Sequence, residues 1–128
     1  MKDIYLNLYS AGGVEDYYIP VPCRGVVKSF KTVANATMVA TGTIVLARNT
    51  TAVNTLTAPT GDAAAGIVVT GVPDTTNKDL VFDPDSSTVA NTKIKVSFDT
   101  TILGGAANVT LLIQYDDSAA VAQAAKEA

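Results

Sequence analysis

Apolar and polar residues alternate with a period of two near the start of this chain and again over residues 93–98. Ile4, Leu6 and Leu8 are separated by Tyr5, Asn7 and Tyr9, and Ile94, Val96 and Phe98 are interleaved with Lys93, Lys95 and Ser97. A period of two sends successive side chains to opposite faces, so each segment reads as a strand with one buried and one wetted face. Further strands are predicted at residues 17–21, where Pro20 and Pro22 mark an edge or an exit, and at 26–33 around Phe30. A long strand is expected over residues 38–47, with a bulge or bend at Gly42. Residues 65–72, 80–82 and 109–115 complete the set. Residues 48–62 are polar and Thr-rich with Leu56 as the main apolar anchor, and no strand is predicted there. Turn signals punctuate the runs at Asn35-Ala36-Thr37, Pro59-Thr60-Gly61-Asp62 and Asp83-Pro84-Asp85-Ser86-Ser87.

Short strands at such spacing point to an all-β fold, an antiparallel β-sandwich. Spacing alone leaves jelly-roll and immunoglobulin-like orders both open. The sandwich domain is expected to span residues 1–116, and residues 117–128 to form a separate Ala-rich tail. Asp116, Asp117 and Ser118 could cap a helix there. A helix of ~10 residues is marginal alone in water, so the tail is expected to be helical and docked, or frayed.

Composition narrows the function classes. Of 128 residues, 48% are apolar and 16% charged, which argues against disorder. The net charge is −3 and the basic residues are scattered, so direct nucleic-acid binding is not expected. No apolar run reaches the ~18 residues of a membrane span, and the first residues enter a strand pattern without the apolar core of a signal peptide. The expectation is synthesis in the cytoplasm, with no membrane partner.

The chain has no histidine, no tryptophan and a single cysteine, Cys23. Ser–His–Asp and Cys–His sites therefore cannot form within one chain, and the common zinc sites lack ligands. Cys23 reads as a buried small apolar residue. Carboxylate pairs exist at Glu15-Asp16, Asp83/Asp85 and Asp116-Asp117, but each sits beside a turn or chain end, where solvated acids are common. Asp83 to Ser87 lacks the glycine and closing glutamate of a calcium loop and reads as a turn. Three Asn-X-Thr sequons are ordinary in so Thr-rich a chain. No catalytic residue, metal site or cofactor is expected, and the chain reads as a non-enzyme.

Tyr5, Tyr9, Tyr17 and Tyr18 cluster in the first eighteen residues. If Ile4, Leu6 and Leu8 face the core, Tyr5 and Tyr9 face outward together. Exposed tyrosine suits interfaces, since its ring buries area while its hydroxyl stays wet. These four are the candidate partner or oligomer interface; the alternative is that the rings pack under a loop or on the other sheet.

In order and texture, residues 20–115 resemble the small cement or decoration proteins of tailed-phage capsids. The matching stretches are Val21-Pro22-Cys23-Arg24-Gly25-Val26-Val27, residues 38–47, Ala63-Ala64-Ala65-Gly66-Ile67-Val68-Val69, Lys93–Phe98 and residues 107–115. The resemblance implies a β-sandwich of the jelly-roll type and a homotrimer. It also implies a place on the exterior of a virion, where the protein braces the joints between major capsid protein subunits. It assigns no binding residue position by position. A fibre, adhesin or other ligand-binding β-sandwich module is the alternative; the lack of tryptophan counts against sugar binding.

Overall fold

The computed structural model describes residues 2–98, 102–103 and 105–118. Among the described residues nine strands form: β1 (Lys2–Ser10), β2 (Glu15–Pro20), β3 (Val26–Ala34), β4 (Thr43–Arg48), β5 (Thr51–Thr57), β6 (Val68–Thr70), β7 (Val72–Pro73), β8 (Lys93–Phe98) and β9 (Ala107–Asp116). One 3-10 turn, Val89–Thr92, leads into β8. The strands make two sheets, one of four in the order β1-β9-β3-β6 and one of five in the order β2-β8-β4-β5-β7. All pairings are antiparallel.

The pairs are nested: β1 with β9, β2 with β8, β3 with β6, β4 with β5. That is a long folded hairpin wrapped into two sheets, the jelly-roll order, with short β7 added beside β5. An immunoglobulin order would put the first two strands side by side in one sheet, whereas β1 and β2 lie in different sheets here.

The inner faces form one core. β9 contributes Val109, Leu111, Ile113 and Tyr115, β8 contributes Ile94, Val96 and Phe98, and β4 contributes Ile44 and Leu46, all essentially unexposed. Each such aliphatic or aromatic side chain contributes about 1.5–3 kcal/mol on burial. Tyr115 brings its hydroxyl into this apolar layer and donates to the Cys23 carbonyl at 2.7 Å, with the Phe82 carbonyl 3.3 Å away. Burial pushes this phenol above its ordinary range. Gly25 lies so close to the ring that an added Cβ would stand 2.6 Å from Tyr115 Cε2. Its backbone pairs with Phe82 in both directions, at 3.0 and 2.8 Å, so the ring is roofed by the 80s loop.

Several expectations change in detail. The strand expected over 38–47 begins only at Thr43. Thr41 takes a left-handed φ of 66° and Gly42 N bonds the Val39 carbonyl at 3.1 Å, so a turn replaces the first half. Met38 instead bridges Ala63 and Leu103. Residues 51–57, read as irregular, form β5. The run expected over 65–72 splits at Gly71, where the chain leaves the four-stranded sheet for the five-stranded one. Gly71 N donates to the Phe30 carbonyl at 2.7 Å, and a Cβ there would sit 2.1 Å from Asn54 Oδ1. Asn54 is fully buried, with neither polar atom of its side chain hydrogen-bonded. A register shift at Val27/Ser29 leaves Lys28 exposed, 3.4 Å from Asp79. Of the Ala-rich tail, residues 119–128 lie outside the described residues; Ser118 N bonds Asp116 Oδ1 at 2.9 Å.

Candidate functional site

The four tyrosines do not share one surface. Tyr5 and Tyr9 stand on the outer face of the four-stranded sheet, 67% and 60% exposed. Tyr18 stands on the outer face of the five-stranded sheet, 57% exposed. Tyr17 points inward and is half-buried, its ring edge-on to Phe98 with centroids 5.5 Å apart. Strand alternation accounts for the split: Tyr17 and Tyr18 are neighbours in β2 and so face opposite ways.

Tyr17 has a supporting part. Its hydroxyl lies 2.6 Å from Glu15 Oε2 and also reaches the Tyr9 carbonyl, so one proton serves two acceptors. Glu15 Oε1 accepts from Ser10 Oγ at 2.7 Å and from Ala11 N at 2.8 Å. This network closes the turn between β1 and β2, and it anchors the backbone that carries Tyr9. Hydrogen bonds from Tyr17 and Ser10 hold the Glu15 carboxyl below its usual range. Burial, reinforced by Glu15, pushes the Tyr17 phenol up to about 12.

The register builds the face around Tyr5 and Tyr9. Tyr9 pairs with Asn108; the next row is Asn7, Thr110, Val33 and Val68. Tyr5, Leu112, Lys31 and Thr70 follow, and then Asp3, Gln114 and Ser29. Only Lys31 is charged in the middle two rows. Val68 and its neighbour Ile67 are 58% and 52% exposed at the far edge. On its outer side β1 has no strand neighbour among the described residues. A nine-residue edge strand with aromatic side chains and an open row of backbone groups is a surface suited to pairing or coverage. A shallow depression beside this face is lined by Asn7, Asn35, Gly66 and Asn108 among others. The polar members of this lining are neutral, hydrogen-bonding residues.

The carboxylate pairs are dispersed. Glu15 is engaged in the turn network, and Asp16 faces the opposite way to accept from Ser97 Oγ at 2.7 Å. Asp83 Oδ1 accepts from Asp85 N at 2.9 Å and Asp83 Oδ2 meets Arg24 Nε at 3.0 Å, so this loop is an Asx turn tied by an ion pair. Among the described residues no three of His, Cys, Asp and Glu gather in a metal-binding group. Cys23 is half-buried and packs against the core. No helix among the described residues is long and apolar enough to cross a membrane.

Sequence reasoning did not find Lys93 and Lys95 as a feature beside Tyr18. Lys93 Nζ lies 5.2 Å from the centre of the Tyr18 ring, within cation–π range. The alternation in β8 announced a wet face, but which strand lies next to it is set by long-range pairing. Compared with known proteins, the chain matches no family model, no curated protein and no solved structure.

Proposed function

We propose that this chain is a non-enzymatic structural protein of a phage virion, which binds the outside of the capsid and braces contacts between major coat subunits. The capsid as partner rests on the resemblance of residues 20–115 to cement proteins. The observation that carries an interfacial role is the nearly uncharged outer face of the four-stranded sheet, with Tyr5 and Tyr9 exposed on an open edge strand. A rigid jelly roll presents this face without rearrangement, so little ordering entropy opposes association. A homotrimer would cover sheet edges and engage several lattice sites at once, gaining strength through effective concentration.

The test is co-sedimentation with cognate expanded capsids, followed by their resistance to heat. Saturable binding and a raised disruption temperature are expected, together with a trimer mass in solution. Absence of binding at saturating protein ends the cement reading; saturable glycan binding by a monomer would replace it with an adhesin-type module.

A further inference from the structure

From a pocket on the outer face of the five-stranded sheet we infer a second recognition site, one that takes a carboxylate group. The pocket has a volume of about 210 Å³ and is lined by Tyr18, Asn49, Ala90, Lys93 and Lys95. That is small beside the ~300–1,000 Å³ of drug-sized sites, and it suits a single side chain or a small acid.

Distinct pieces of chain build it. The β2–β8 register sets Tyr18 directly opposite Lys95 and Pro20 opposite Lys93. Ala90 comes from the 3-10 turn before β8. Asn49 opens the two-residue turn between β4 and β5, at a φ of 58° that asparagine tolerates better than most residues. Two lysines, an asparagine and a tyrosine thus line one small space. Each carries at least one hydrogen-bond donor, and charge-assisted bonds from lysine to an oxyanion are the strong kind.

The charge balance selects the ligand. Lys93 has no ion-pair partner among the described residues, and its Nζ lies over the Tyr18 ring. Lys95 Nζ lies 3.8 Å from Asp16 Oδ2, a loose pair. Asp16 therefore offsets one lysine and leaves a single positive charge in excess, which matches a monoanion. A phosphomonoester, with a charge of about −1.5 to −2, would leave the site net negative and cost more to desolvate. The chain as a whole carries −3, so it does not steer anions toward itself, and selection falls to these contacts. The carboxylate could belong to a free small acid or to an Asp or Glu side chain of a protein partner. The site does not depend on the partner being a coat protein.

Amide-resolved NMR of the full chain at pH 7 and fixed low ionic strength tests this. The probes are sodium acetate, a terminally blocked tripeptide with one central glutamate, and inorganic phosphate. Saturable shifts are expected at Tyr18, Asn49, Lys93 and Lys95 with the carboxylates, with Kd on the order of 1–10 mM. Lys93→Gln and Lys95→Gln should each weaken binding about fivefold and leave distant resonances unmoved. A tighter peptide assigns the carboxylate to a protein side chain; tighter acetate assigns it to a free acid. Linear, non-saturating shifts, saturation by phosphate alone, or undiminished binding in Lys93→Gln would overturn the assignment. Loss of capsid binding, by contrast, leaves it standing.

Discussion

The two outer faces of the sandwich rest on one core but present opposite chemistries. On the four-stranded sheet Tyr5, Asn7, Tyr9, Thr110, Val33 and Val68 make a broad surface with one lysine in its centre. On the five-stranded sheet Asp16, Tyr18, Lys93, Lys95 and Ser97 concentrate charge at the β2–β8 side. A broad surface with few charges can bury area while desolvating few ions, whereas a compact charged patch selects one chemical group. On the proposed reading the first face serves stable association and the second discrimination.

The largest effect should separate the faces directly. On the proposed reading, Tyr5→Ala with Tyr9→Ala is expected to weaken capsid association by roughly 100-fold, about 3 kcal/mol, as loss of two interface aromatics would. Tyr18→Ala should change it less than about threefold. Binding isotherms by co-sedimentation decide, and an equal loss from Tyr18→Ala would dissolve the distinction. Neither change should shift the unfolding midpoint appreciably, since all three rings are exposed.

The corner that links the sheets comes next. Gly71→Ala forces a methyl onto Asn54 and should cost about 2 kcal/mol in urea denaturation. In an Asn54→Ala background the same change should cost about 1 kcal/mol less, because the obstructing amide is gone. Equal costs in both backgrounds would show that the corner relaxes and that the faces are not rigidly coupled.

Tyr17→Phe probes the support beneath Tyr9 and should cost about 1 kcal/mol. Because the folded phenol titrates at about 12, above its unfolded value near 10, its contribution is whole below pH 10 and is lost as pH rises toward 12. Melting curves of the variant should lose that alkaline slope. Glu15 acts with the opposite sign: its lowered folded pKa supplies stability above the ordinary range near 4.5, lost as pH falls through the lowered value. The smallest effect belongs to the charged face, where Asp16→Asn should change stability by less than about 0.5 kcal/mol, as for other exposed pairs.

Legibility in the sequence followed how cleanly a strand sorts its faces. β8 was plain because Lys93, Lys95 and Ser97 sit opposite Ile94, Val96 and Phe98. β5 was hidden because Asn54 occupies an inward position and a register shift at Leu46/Ala47 breaks the period around Val53. β6 and β7 merged in the sequence because nothing local marks a change of sheet except Gly71. The outward placement of Tyr5 and Tyr9 followed from alternation alone. The company each tyrosine keeps did not, since Leu112 beside Tyr5 and Lys95 beside Tyr18 come from strands about 80–110 residues away.

The nested strand pairing also sets a schedule. Lys2 lies opposite Tyr115, so the four-stranded sheet cannot close until nearly the whole of β9 has left the ribosome. At ~5–20 residues per second that leaves β1 without its partner for roughly 6–23 s. Such non-local topologies also fold slowly once released, because loop closure is costly before any long-range contact rewards it. Throughout that interval the segment carrying Ile4, Leu6 and Leu8 is a bare strand with an apolar face. That core-facing side, not the neutral outer surface, is then the main aggregation hazard, and yield in cells should depend on chaperone supply more than on final stability.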